Sequence, residues 1–326
     1  MHSIYIGNPI SLVLAISTDL SQANYFIVQE EKDLRESPRN TNLAMELQKC
    51  ISLFFGIPFN VITFQEFETN YFTEKNFVTE FRFVSYFRKI KPNGVFPSVT
   101  AISYGADLFL AETNLLNRFR GPRTFKVVLA WRRALHEISN TKEFLIPELP
   151  TMPNFINKIP VKSIRKSVLV ENLIRFSRSA DFADFSGVKN LEKLKLIIVG
   201  PDYLGFDQGN LNAIISVILK LPSKTDFAVL IKPHPASDIP LEMIQKFEAL
   251  LGSKTLNSLL DLDIERIKTI PLEIFLSAND LNYYVGIYTA GVAMIETSRV
   301  TWVPSSDKFA EKMYKINYKE FINRWS

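Results

Sequence analysis

The residues best suited to chemistry stand in the run Lys232-Pro233-His234-Pro235, directly after the apolar stretch Phe227 to Ile231. The two prolines fix φ at their own positions and restrict the residues before them, so His234 is expected on a stiff turn. An imidazole held there can donate a hydrogen bond to a phosphate or a proton to a departing group near neutral pH. Lys232 adds positive charge beside it. The plain alternative is a rigid turn with a surface histidine. Two further groups follow in the same half, Pro271-Leu272-Glu273 and Tyr288-Thr289-Ala290-Gly291. A hydroxyl and backbone N–H groups at a helix start form an anion site, but Thr289 also suits an ordinary N-cap. Glu273 likewise suits a first-turn carboxylate that complements the helix dipole. In the other half, a strand candidate from Val99 to Ser103 runs into Tyr104-Gly105-Ala106-Asp107. Gly105 permits a sharp exit there. Ligands of open α/β sheets bind beyond the carboxyl ends of strands, which gives Asp107 weight beyond its residue type.

Several chemistries lose their usual support. The chain has three histidines, His2, His136 and His234, and one cysteine, Cys50, with no metal-like spacing among them. No zinc site and no cofactor are expected. The sequence has no G-x-S-x-G elbow, no P-loop and no G-x-G-x-x-G fingerprint. A net charge of +4, with basic and acidic residues interspersed, argues against a nucleic-acid partner. A lone cysteine favours a reducing compartment. With no leader pattern and no apolar run approaching 20 residues, a cytoplasmic protein is expected. The segment Phe81 to Lys89 interleaves aromatic and basic residues. It reads as a helix with one core face and one solvated face, or as a peripheral contact with the inner face of the membrane.

The elements that must position these residues can be read from pattern. Length (326 residues), with 47% hydrophobic and 22% charged residues, suits two α/β domains. Strands are expected at Ser3 to Ile6, Tyr25 to Val28, Val61 to Phe64 and Val99 to Ser103. Asn8 and Pro9 are expected to open a helix through Ile16. Leu43, Leu47, Ile51 and Phe54 recur at helical spacing, and Phe72 to Lys89 reads as a long helix. Four prolines, Pro147, Pro150, Pro153 and Pro160, predict an irregular connection or domain-crossing region between Asn140 and Gly187. A second unit opens with strand Leu194 to Val199, then a helix from Asn210 to Leu219, strand Phe227 to Ile231 and a helix from Met243 to Leu251. Strand Ile267 to Ile270, a helix opening at Pro271, strand Tyr283 to Ile287 and a last strand at Trp302-Val303 complete it. Strands alternating with helices predict parallel, doubly wound sheets.

In these motifs the chain resembles the bacterial sialyltransferases of the lipooligosaccharide and capsule polysialyltransferase type, chiefly from Leu194 to Val303. The resemblance implies a GT-B fold, two Rossmann-like domains facing a central cleft. It places the acceptor-side domain at 1–160, a connection at 161–190, the nucleotide-sugar domain at 191–306 and a tail at 307–326 returning to the first. It implies metal-independent, inverting transfer of sialic acid from a CMP-sugar donor to a glycan or glycolipid acceptor. Asp107 would be the base, with Glu112 in reserve, and His234 would act on the departing phosphate. Lys232, Pro233, Pro235, Glu273, Thr289, Ala290 and Gly291 would line the donor site. Ala290 stands where that family has a second hydroxyl, and Gly105 precedes rather than follows the acid. A transferase using another CMP or CDP donor, such as Kdo or glycerol phosphate, is the second reading. A non-catalytic nucleotide- or glycan-binding protein is the third.

Overall fold

The computed structural model describes residues 3–5, 9–18, 24–29, 41–58, 60–63, 76–80, 98–102, 141–148, 159–200, 208–221, 227–233, 241–252, 255–286 and 299–303. They form an α/β protein with two parallel sheets, in two compact units. The first sheet holds β1 (Ser3–Tyr5), β2 (Asn24–Gln29), β3 (Asn60–Thr63), β4 (Asn76–Glu80), β5 (Ser98–Ile102), β6 (Glu143–Pro147) and β7 (Val161–Ile164). Its order is β3-β2-β1-β4-β5-β6-β7, and every neighbouring pair is parallel. This is the doubly wound order of dinucleotide-binding sheets with one strand added, and its switch point lies between β1 and β4. Helix α1 (Pro9–Ile16) follows β1 and is buried from Pro9 to Ala15. A helix apolar on all sides belongs inside a layer rather than on its surface.

Two expectations in this half fail. Residues 76–80 are the strand β4, not part of a helix. Val78 and Thr79 are buried between β1 and β5, and a strand covered on both sides loses the alternation that would betray it. The remainder of 72–89, including the basic-aromatic segment, lies outside the described residues. The described part of 140–187 is not irregular either: residues 141–148 and 159–187 carry β6, β7, α3 (Lys166–Ser177) and α4 (Ala180–Ser186), while the two compact units divide between Leu169 and Val170. Pro147 closes β6 and Pro160 precedes β7, whereas Pro150 and Pro153 lie outside the described residues. Helix α4 has clear stops, with the Ser179 hydroxyl accepting from the Phe182 N–H and Gly187 in the left-handed region at φ 74°.

The second unit contains α2 (Thr41–Phe54), α4, α5 (Gln208–Lys220), α6 (Leu241–Leu251), α7 (Leu256–Leu259), α8 (Ile264–Thr269) and α9 (Leu272–Ser277). Its sheet runs β11-β10-β8-β9, all parallel, from β8 (Leu196–Gly200), β9 (Ala228–Ile231), β10 (Tyr283–Gly286) and β11 (Val300–Trp302). The chain starts in the middle, steps to β9, then reverses to β10 and β11, so the switch point lies between β8 and β10. One face packs Ile197, Val199, Val229, Ile231 and Val285 against Leu211, Ile214 and Ile218 of α5 and Phe247 of α6. The alternate residues Leu196, Ile198, Leu230 and Tyr284 are buried as well. Burial on both faces explains the near-continuous apolar runs of these strands. Residues 267–270 are not a strand. Asp263 caps α8 by accepting from the N–H groups of Glu265 and Arg266, so Ile267 and Ile270 lie three apart on a buried helical side. On α2, Leu47 and Ile51 are buried as their spacing predicts, and Glu46 pairs with Arg266 at 3.8 Å.

Buried asparagines hold this sheet to its helices. Asn282, fully buried, accepts from the Leu196 N–H at 2.9 Å and donates to the Phe275 carbonyl of α9 at 2.7 Å. Leaving both backbone groups unpaired in the core would cost about 1–3 kcal/mol each. At the switch point, Gly200 of β8 pairs directly with Gly286 of β10. A Cβ on Gly200 would meet the Tyr284 ring, at 2.7 and 2.8 Å from two ring carbons, whereas one on Gly286 would also run into the Gly200 carbonyl. The phenol therefore lies along the sheet toward the carboxyl ends, over two positions that only glycine can occupy. Each Gly→Ala change is expected to cost about 1–3 kcal/mol by overpacking. In urea unfolding, Tyr284→Leu should recover most of the loss in Gly200→Ala and little of that in Gly286→Ala, whose obstacle is backbone.

Candidate functional site

Strand β9 is the edge of its sheet among the described residues, and the Lys232-Pro233 step leaves its carboxyl end. The ladder continues one residue beyond the strand, with the Lys232 N–H donating to the Val199 carbonyl at 2.8 Å. On the outer side, Asn257 of α7 supplies what a further strand would. Its side-chain oxygen accepts from the Ile231 N–H at 2.8 Å, and its amide nitrogen donates to the Ile231 carbonyl at 3.1 Å. Asn257 is itself buried, and the Thr255 hydroxyl that caps α7 accepts from the Ser258 N–H. Edges that carry chemistry need such covering, because unpaired strand groups are costly when buried.

Lys232 does not project outward. Its side chain is buried, and Nζ donates to the Pro233 carbonyl at 2.8 Å and to the Lys268 carbonyl at 3.0 Å. Lys268 lies in the last turn of α8, where carbonyls lack partners within the helix and the dipole end is negative. Two residues of connection, Ile270 and Pro271, separate α8 from α9. Glu273 stands in the first turn of α9 and is also buried. The structure thus brings Lys232, Pro233 and Glu273 into one region beneath the turn, with the Lys268 backbone between two helix ends. His234, Pro235, Thr289, Ala290, Gly291 and Asp107, with its reserve Glu112, lie outside the described residues.

The electrostatics drive both buried charges toward neutrality. Burial lowers the Lys232 ammonium from 10.5 to about 7, and Lys268 acts in the same direction, while the Glu273 carboxylate partly opposes them. Burial raises the Glu273 carboxyl above its ordinary range, opposed by its own backbone N–H and by Lys232. A neutral lysine amine has two N–H donors, and two carbonyls receive them here. Two contributors escaped the sequence reading. Asn257 resembled any loop asparagine near a cap, and nothing in its neighbourhood marks it as a partner of Ile231. Tyr284 could have been flagged by the Tyr284-Val285-Gly286 spacing, since residues two apart share a strand face.

The lowered Lys232 value carries a pH dependence. Between pH 7 and 10.5 the unfolded chain binds this proton and the folded chain releases it, so stability rises with pH across that window. Below pH 7 the folded protein bears the full cost of the buried charge. Glu273 contributes the opposite slope, starting at its ordinary value of 4.5 and moving upward. The Lys232→Met protein should therefore lie further below wild type at pH 10 than at pH 6, by on the order of 3 kcal/mol. Urea midpoints at the two pH values measure this difference.

No family model matches the chain, and no curated protein does. Among solved structures it is similar to UGT2 of Phytolacca americana in two forms. The form complexed with UDP-2fluoro-glucose and pterostilbene has a TM-score of 0.40 at 11% identity, covering 99% of this chain and 93% of that one. The apo form has a TM-score of 0.38 at 10% identity over the same shares of both chains.

Proposed function

We propose that this chain is a glycosyltransferase of the GT-B type that transfers sialic acid from CMP-sialic acid to a glycan hydroxyl. One observation carries the reading. The Lys232-Pro233 step leaves the carboxyl end of β9, next to β8 at the switch point, and His234 is the next residue in sequence. Ligands of open α/β sheets bind at this end of a sheet. In the proposed reaction Asp107 accepts the proton of the acceptor hydroxyl as its oxygen attacks the anomeric carbon. The bond from that carbon to the phosphate oxygen breaks, and the electron pair leaves with CMP. His234 donates a hydrogen bond or proton to the departing phosphate, and Thr289 with the backbone N–H groups at Ala290 and Gly291 receives its other oxygens. Attack opposite the leaving group inverts the anomeric centre.

Thermal unfolding in the presence of CMP, CDP and UDP compounds tests the donor class. CMP at about a hundred times its dissociation constant should stabilise the fold by roughly 2.7 kcal/mol. Preference for a CDP compound would point to the glycerol-phosphate type of donor, and turnover of CMP-Kdo alone would replace the sugar. His234→Ala should unfold like wild type and lose roughly 10²–10⁴-fold in transfer rate. Near-normal turnover by that variant would sink the role given to the histidine. Binding of CMP without transfer to a broad panel of acceptors would leave a nucleotide-binding protein.

A further inference from the structure

We infer that Lys232 and Asn257 form a brace that fixes the peptide entering His234, so that Lys232 acts as a positioning residue beneath the site rather than as a contact to the donor. The backbone from Ile231 to Pro233 is held at several points. Asn257 takes both outward-facing groups of Ile231, the N–H at 2.8 Å and the carbonyl at 3.1 Å. The Lys232 N–H is bound to Val199 at 2.8 Å. The proline ring sets φ of Pro233, leaving ψ as its one soft torsion. That torsion is fixed by Lys232 Nζ, which holds the Pro233 carbonyl at 2.8 Å. The Pro233 carbonyl and the His234 nitrogen belong to the same planar peptide unit, so gripping one orients the other. Pro235 then restricts the conformation of His234 itself.

The brace is anchored away from the turn. Lys232 Nζ also donates to the Lys268 carbonyl at 3.0 Å, and Asn257 belongs to α7, so two separate helices fix one strand exit. The charged groups around the amine are Glu273 at the start of α9 and Lys268 at the end of α8. Lys268 is paired with Glu265 at 3.5 Å. Both known donors from Lys232 thus end on backbone carbonyls, and 5% exposure leaves the side chain little surface to offer a ligand. The catalytic consequence rests on the transferase reading, whereas the brace itself is a property of the folded chain.

The test reads the histidine directly in the full-length protein. The chain has only three histidines, so their ring C–H resonances can be assigned with His234→Ala. In Lys232→Met the His234 resonance and its titration midpoint should move while those of His2 and His136 stay. In wild type, the Ile231 amide should exchange at least about 100-fold more slowly than a free edge-strand amide. If Lys232→Met does not fold, Asn257→Ala supplies the same histidine readout. An unchanged His234 titration in a folded variant, or a fast Ile231 amide in wild type, would overturn the brace. Transfer assays separate the two proposals. Lys232→Met should lower kcat by at least about 10-fold with little change in the donor KM, since a group that only binds donor would raise KM instead. Reaction of unfolded Lys232→Cys, in a Cys50→Ser background, with bromoethylamine, followed by refolding, should restore kcat by rebuilding the amine. A wild-type protein with the braced histidine that binds no cytidine nucleotide would remove the transferase reading and keep the brace. CMP binding with a His234 signal indifferent to Lys232 would do the reverse.

Discussion

An edge strand of a buried parallel sheet has one row of backbone N–H and carbonyl groups that no other strand pairs, and among the described residues β9 is such a strand. The site depends on how that deficit is met. Asn257 presents an amide in the orientation of a neighbouring peptide and closes the last rung at Ile231. Lys232 then turns back on its own chain to take the next carbonyl, at Pro233, together with one from the end of α8. A hydrophobic side chain at either position would fill the space and leave two backbone groups unsatisfied. Each would cost about 1–3 kcal/mol in the core. The polar residues are there because backbone groups near the end of a buried strand have nowhere else to bond.

The switch point imposes a second constraint. Strands β8 and β10 are adjacent in space but belong to excursions in opposite directions, since the chain steps from β8 to β9 on one side and returns to β10 on the other. Gly200 and Gly286 face one another there, and the space that two side chains would occupy is taken by the phenol of Tyr284. Trp302 on β11 meets the same ring edge-to-face at 5.9 Å. One large side chain rooted a pair of residues back along the strand fills the end of the sheet that two smaller ones would fill from their own positions. The mouth of the sheet is thereby rigid, because a ring packed across two strands cannot change rotamer without parting them.

The second sheet was legible in the sequence because strands buried on both faces write long apolar runs, and β8, β9 and β10 were each located to within about two residues by that pattern, whereas β4, β6 and β7 of the first sheet were not read as strands. Where reading failed, a short-range rule met a stronger competing one. Val78 and Thr79 looked helical inside an aromatic-rich stretch, yet two neighbouring strands claimed them. Ile267 and Ile270 looked like a strand, yet the Asp263 cap set a helical period in which the same residues point inward together. Pro147 and Pro160 marked boundaries, and they are boundaries of the strands β6 and β7. Of the site, the sequence made visible the Lys232-Pro233 step and its place after a strand. Asn257 was not visible, because pairing with a backbone group 26 residues earlier leaves no periodic trace.

Lys232 shows what burial adds to residue type at the end of a strand. A lysine next to a histidine, where anions bind, invites the role of a phosphate contact. In the fold, burial pushes its ammonium down to about 7 and its Nζ donates to two backbone carbonyls. Arginine in the same place could not have released its charge, and it would have required a buried anion in full. The Glu273 carboxyl is itself raised by burial. The two side chains are a buried polar pair whose ionisation burial opposes, set between helix ends whose dipoles favour the signs each would carry if charged. Lysine is thus the residue whose reach, donor count and adjustable charge meet the needs of this position together.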